Sequence, residues 1–362
     1  MVVEGENMKK VFKFISLFIV IAMILTSSLS FNTVYASEDE TEEEKPLYLA
    51  LGDSITYGYA PTDDPAEVMT GRQLTDECFV NILAKEKGYR VVNKGVLGNT
   101  AVGVKAQIAT GELDEYIKEA QIITLTCGGN DLMEVVYTRA ANIYNANKTC
   151  VEKWGTIESK DIIFILGLAS DYDADFVTSV KMACYAGIIG ADNSTEFKEA
   201  LEQFIVDLND LTATIKSINP DVKIYFATQY NPFEHYVGTY KAISTYIGNC
   251  AKILHDREVE NAEAGQYTIV DVYSAFLGNT ASYCNATEDP LYLDFHPSIA
   301  GHAAIAACFS EVVPQAEIKV KPAEESKTPN TGEDLTIYFA TASMIVSVVA
   351  LSFVEKKKKS IA

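Results

Sequence analysis

The stretch Leu47-Tyr-Leu-Ala-Leu-Gly-Asp-Ser54-Ile-Thr-Tyr-Gly58 constrains the fold more than any other. Its apolar run, Leu47 to Leu51, has no polar alternation, which is the pattern of a short strand buried on both faces. Such strands belong to parallel sheets covered by helices on either side, so an α/β chain is expected. The run stops at Gly52-Asp53-Ser54, a polar turn. Open α/β sheets bind ligands at the C-terminal ends of their strands, so Ser54 stands where a nucleophile would be wanted. Taken alone, however, the tripeptide reads more readily as the cap of the next helix.

The rest of the chain keeps the same alternation. Helical spacing runs over Cys78–Lys87 and stops at Gly88, and Arg90-Val-Val-Asn93 reads as a second strand. A helix is expected from Thr100 to about Glu119, then a strand at Ile122–Cys127. Further on come a long amphipathic helix, Glu196–Ile218, ended by Asn219-Pro220, and a strand at Val222–Thr228. A helix at Tyr240–Glu263, a strand at Tyr267–Val272 and a closing helix at Ala300–Val313 complete the domain. Strands alternating with helices predict a parallel sheet with helices on both faces. Leu132 to about Ser194 fits no simple strand–helix unit. It contains the only tryptophan, Trp154, and the apolar piece Ile162–Leu168, and is expected to form a helical insertion over the catalytic edge.

Four short motifs fall at strand ends, in one order: Gly52-Asp53-Ser54, Gly98-Asn99-Thr100, Gly128-Gly129-Asn130-Asp131 and Asp294-Phe295-His296-Pro297. In these the chain resembles the SGNH (GDSL) hydrolase family of esterases and lipases. The resemblance spans Leu47 to His302. It implies a three-layer α/β/α, flavodoxin-like sandwich with a five-stranded parallel sheet. It also implies that Ser54 is the nucleophile, with His296 as the base that takes its proton and returns it to the leaving alcohol. The oxyanion donors implied are the Ser54 and Gly98 backbone N–H groups and the Asn130 side-chain amide. Gly98 suits that role because a backbone N–H approaches substrate closely where no Cβ intervenes. Each member has an ordinary alternative: Gly98 shaping a loop, Asn130 or Asp131 capping a helix. Asp53 is read as structural, His302 as facing a helix surface or the sheet, and His235 and His255 receive no role.

One position departs from the family pattern. The triad Asp usually stands three residues before the His, where this chain has Leu293, while Asp294 stands two before. Either the Asp294 carboxylate or a backbone carbonyl is then expected to orient His296. This chemistry needs no metal or other cofactor, and no HExxH or Cys/His cluster suggests one.

Both ends read as addresses. Met8-Lys9-Lys10, the apolar run Phe14–Leu25 and the small residues up to Ala36 make a secretory signal peptide over 1–36. At the other end, Thr328-Pro-Asn-Thr-Gly332 precedes an apolar run from Leu335 to Val354 and then Lys356–Lys359. That run is long enough to span a bilayer, with the lysines on the cytoplasmic side. The order resembles the cell-wall sorting signal of Gram-positive surface proteins, with Thr328 where the usual pattern has Leu. It implies cleavage by a sortase between Thr331 and Gly332 and attachment to the wall through Thr331. The expected layout is an acidic leader at 37–45, a hydrolase domain at 46–315 with the insertion at about 132–194, a stalk at 316–331 and the sorting signal with its membrane span at 332–362.

Net charge is −21, which disfavours nucleic acid and anionic membranes as partners. Seven cysteines are an odd number for an exported chain, so at least one has no partner within it. The expected function is a surface-anchored serine esterase or lipase acting through an acyl-enzyme on Ser54. The alternatives are an O-deacetylase of wall or environmental glycans and a spent hydrolase fold used for binding. The insertion is apolar enough to shield a lipid chain, while Tyr137, Tyr144, Trp154 and Tyr172 are candidates for stacking on sugar rings.

Overall fold

The computed structural model describes residues 43–61, 71–286, 294–317 and 319–320. Residues Lys45–Lys319 form one compact unit, which carries every candidate site residue. The expected signal peptide and sorting signal, with its membrane span, lie outside the described residues, as does most of the stalk. Among the described residues, no helix is long and apolar enough to cross a membrane.

Five strands make the main sheet: β1 (Leu47–Gly52), β2 (Arg90–Asn93), β3 (Ala120–Thr126), β4 (Lys223–Ala227) and β5 (Thr268–Val270). Their order is β2-β1-β3-β4-β5, and every pairing is parallel. The chain steps outward from β1 to β2, then crosses back to β3. That reversal makes a topological switch point between β1 and β3, where sheets of this order bind their ligands. Ser54 follows β1 and Asn130 follows β3, so strand order alone brings two of the motifs to one crevice.

The unbroken apolar run of β1 is explained by its two covered faces. Leu47, Leu49 and Leu51 enter one core, while Tyr48 and Ala50 enter the other. The Tyr48 hydroxyl, buried among apolar groups, is matched by Thr124 Oγ1 on β3 at 2.8 Å.

Helices follow each strand. In chain order they are α1 (Ser54–Tyr57), α2 (Phe79–Lys87), α3 (Ala101–Ala109), α4 (Asp114–Glu119), α5 (Gly129–Ala146), α6 (Lys148–Trp154) and α7 (Ser159–Gly167). Then come α8 (Ala174–Ile188), α9 (Thr195–Ile218), α10 (Lys241–Asn261), α11 (Val272–Phe276), α12 (Thr280–Tyr283) and α13 (Ile299–Val312). The single helix expected from Thr100 to Glu119 is two, α3 and α4. Gly111, at φ +80°, breaks it with a left-handed turn that the spacing of apolar residues does not reveal.

The insertion is helical, and it begins inside a motif: α5 starts at Gly129. Helices α5 to α8 build a small core of their own, with Ile162, Ile165, Val180 and Cys184 buried in it. The rings of Tyr144, Trp154 and Tyr172 lie 5.8, 5.7 and 5.8 Å from that of Phe176. All seven cysteines are free thiols.

His302, on α13, is fully buried and stacked on Phe79 of α2. Cys78 offers α2 no side-chain cap, and the His302 Nδ1 accepts the Phe79 N–H instead, at 3.5 Å. Burial pushes this imidazole down from the usual 6.5 to about 4, and the charge of His296 adds to the effect. The fold therefore holds His302 neutral, and the unfolded chain takes the proton first. Its contribution is complete above pH 6.5 and is lost as pH falls towards 4, by about 3 kcal/mol. Unfolding free energies across that window should fall less steeply for His302→Leu than for the wild type. An identical slope for both would refute the assignment. Asp53 titrates in the same range with opposite sign, but it is common to both proteins.

Candidate active site

At the end of β1, Asp53 accepts the Ile55 N–H at 3.0 Å and caps α1. Cap and candidate nucleophile are thus neighbours in one turn, not alternatives. Ser54 is only 5% exposed. Its Oγ lies 2.9 Å from His296 Nε2, and His296 Nδ1 lies 2.7 Å from Asp294 Oδ1. The same carboxylate oxygen accepts the His296 backbone N–H at 2.9 Å. This is an Asx turn, in which a side chain reaches the backbone two residues on. It explains how a carboxylate two residues before the histidine reaches the ring. Of the two partners left open for His296, the carboxylate is the one in contact. Its demand for a donor keeps the proton on Nδ1, and Nε2 then faces the serine hydroxyl with its lone pair. Leu293, where the family pattern has its Asp, lies outside the described residues.

The histidine is held from several sides. The Tyr59 and Phe295 rings lie 4.1 and 4.7 Å from the imidazole, centroid to centroid. The Tyr230 hydroxyl donates to the Phe295 carbonyl at 3.0 Å, and the Asn285 N–H to the His296 carbonyl at 2.9 Å. Neither tyrosine falls in a motif. Tyr230 was findable only as an aromatic just beyond a strand end.

The loop carrying Gly98 extends the β1–β2 pairing past the end of β2. Lys94 N–H donates to Ala50 O at 2.8 Å and Val96 N–H to Gly52 O at 2.9 Å, which lays the loop along the serine turn. Gly98 has φ +72°, yet a Cβ there would meet nothing within 4 Å. Within the protein, it is the backbone conformation that calls for a glycine here. The Ser54 and Gly98 N–H groups have no acceptor among the described residues. Asn130 Nδ2 donates one proton to Asn99 O at 3.0 Å, which orients the amide and leaves its second N–H available. Asp131 caps α5 through the Gly128 N–H at 3.0 Å and also accepts the Ala101 N–H at 3.1 Å. One carboxylate thereby ties together the two loops that carry Gly98 and Asn130. Burial holds it above the ordinary carboxylate range, against the pull of those N–H groups.

Ser54 and Asn130 line a largely apolar cavity, and Gly98, Asp294 and His296 stand outside its lining. Asp53, Ser54, Asn130 and Gln229, all just beyond strand ends, are its main polar lining. The walls are apolar: Leu132, Met133 and Val136 from α5, Phe197 from α9, and Ala251 and Leu254 from α10. Tyr137, Tyr144, Trp154 and Tyr172 do not line it, nor do His235, His255 and His302. Among the described residues, no group of three His, Cys, Asp or Glu side chains is placed to hold a metal ion.

The sequence model of the GDSL-like lipase/acylhydrolase family matches residues 50–304, and that of the LPXTG cell wall anchor motif matches residues 327–361. No curated protein matches the chain. Among solved structures, the chain is similar to phospholipase A1 from Streptomyces albidoflavus NA297, at 15% identity and TM-score 0.49 over 74% of this chain and 100% of that one. An extracellular lipase from Streptomyces rimosus gives the same four values. An acetylxylan esterase from Geobacillus stearothermophilus is 21% identical, over 74% of this chain and 93% of that one, with TM-score 0.38.

Proposed function

We propose that this chain, which belongs to the GDSL-like lipase/acylhydrolase family, hydrolyses carboxylic esters of medium or long acyl chains through an acyl-enzyme on Ser54. One observation carries the reading. The Ser54 hydroxyl, which lines an apolar cavity, is hydrogen-bonded to His296, backed by Asp294. His296 Nε2 takes the hydroxyl proton as Oγ attacks the ester carbonyl carbon. The oxyanion that forms accepts hydrogen bonds from the Ser54 N–H, the Gly98 N–H and the free N–H of Asn130. Collapse expels the alcohol, which takes the proton from His296. Water, deprotonated by the same nitrogen, then releases the acid. Asp294 holds the imidazole and stabilises its charged form.

The wall anchor makes the protein extracellular and cell-wall anchored, so its substrate is met outside the cell. Attachment by a sortase through Thr331 is part of the proposal. The tyrosines and tryptophan considered for sugar stacking do not line the cavity beside Ser54, which weakens the O-deacetylase reading. A spent binding fold has no need of the complete Ser54–His296–Asp294 chain.

Hydrolysis of p-nitrophenyl esters from acetate to palmitate tests this reading. The wild type is expected to prefer medium or long chains. Leu254→Trp, which narrows the cavity by about two methylenes' worth of chain, should lower kcat/KM on the long esters roughly tenfold or more and spare acetate. A wild-type optimum at acetate would favour the deacetylase instead.

A further inference from the structure

Thr126, the last residue of β3, belongs to none of the four motifs, yet its side chain lies against the serine turn. It is 1% exposed. Its Oγ1 lies 2.7 Å from Asp53 Oδ1, 2.8 Å from Thr56 Oγ1 and 3.3 Å from the Asp53 backbone nitrogen. A carboxylate only accepts, so the single Thr126 hydroxyl proton goes to Asp53. The Oγ1 is then an acceptor for the Asp53 N–H and for the Thr56 hydroxyl, whose one proton is shared between Thr126 Oγ1 at 2.8 Å and the Leu51 carbonyl at 3.2 Å. The Thr126 carbonyl also accepts the Asp53 N–H, at 3.1 Å. Gly52 makes this approach possible: at φ +143°, a Cβ there would lie 2.4 Å from both Thr126 oxygens.

From this geometry we infer that Thr126 is a positioning residue for the reaction, clamping Asp53, and with it the Asp53–Ser54 peptide that follows, to the strand that leads into Asn130. The inference rests on the proposed esterase reading. That peptide carries one oxyanion donor, the Ser54 N–H, and leads directly to the nucleophile, and a further donor, Asn130, lies four residues beyond Thr126. Misplacement of such groups by about 1 Å costs up to roughly 10²-fold in rate.

The clamp also acts on Asp53, which is 2% exposed. Burial pushes this carboxyl up to about 6, while the Thr126 hydroxyl and the Ile55 N–H pull it down. His296 favours its charged form and Asp131 opposes it, and the Tyr230 hydroxyl and Cys127 thiol, both held neutral by burial, also lie near it.

Thr126→Val keeps the shape and removes both the donor and the acceptor. With a p-nitrophenyl ester, kcat should fall roughly 10- to 100-fold while KM stays within about twofold, because the cavity is untouched. Thr126→Ser restores the hydroxyl and should restore most of kcat. If T126V does not fold, Thr56→Val decides, since it removes the hydroxyl that bridges Thr126 Oγ1 and the Leu51 carbonyl and leaves Thr126 and Asp53 in place; a several-fold fall in kcat at unchanged KM is expected. Wild-type kcat in the folded valine variant, or equal impairment of the serine and valine variants, would overturn the inference. Wild-type protein inert towards every ester would instead remove the esterase reading and the positioning role with it.

Discussion

Ser54→Ala is expected to lower kcat on a p-nitrophenyl ester by roughly 10⁶-fold while the protein stays folded. The size follows from the chemistry. The hydroxyl is the only group in the Ser54–His296–Asp294 chain able to form the acyl intermediate, and nothing placed beside it can take over. Ser54 is nearly buried at the first turn of α1, where Ala is tolerated, so the loss will not come from unfolding. Residual hydrolysis would reflect binding and the N–H donors alone. Urea unfolding measured beside the kinetics separates the two causes. Activity within tenfold of wild type would mean that the nucleophile lies elsewhere.

Asp294→Asn should cost roughly 10⁴-fold in kcat with little change in KM. The carboxylate receives two N–H groups from His296, one from the ring at 2.7 Å and one from the backbone at 2.9 Å. An amide at that position can turn its NH₂ towards the ring, which selects the tautomer with the proton on Nε2. That nitrogen could then no longer accept from Ser54. Since Asp294 also shapes the turn, Asp294→Ala should be no less damaging. A loss of only a few-fold in Asp294→Asn would assign the orientation of the imidazole to the Tyr59 and Phe295 rings.

The layout of the fold was legible because β1 is buried on both faces and its sequence has no alternation to mislead. The five-stranded parallel sheet and the helical character of the insertion followed from the same kind of pattern. The break at Gly111 was not legible, because one left-handed turn leaves the helical spacing on either side intact. The site was legible in its motifs and opaque in what supports them. Thr126, Tyr59 and Tyr230 carry no pattern of their own, and their importance comes from the strand order that brings them beside Ser54 and His296. Asp294 was ambiguous for a local reason: whether a carboxylate two residues before a histidine reaches its ring depends on backbone torsions that composition does not specify. The left-handed torsion of Gly98 is a further requirement for glycine that its motif alone did not reveal. The aromatic residues of the insertion were read as candidates for sugars, and that Tyr144, Trp154 and Tyr172 meet at Phe176, away from the cavity lining, is a tertiary fact that spacing along the chain does not carry.

The central claim is that Ser54 is the acylated residue. Incubation of the protein with a long-chain p-nitrophenyl alkylphosphonate, followed by intact mass and peptide mapping, tests it directly. One adduct per chain on the peptide containing Ser54, with hydrolysis lost in proportion, is the predicted result. An adduct on any other residue, or full hydrolytic activity in protein modified at Ser54, would contradict it.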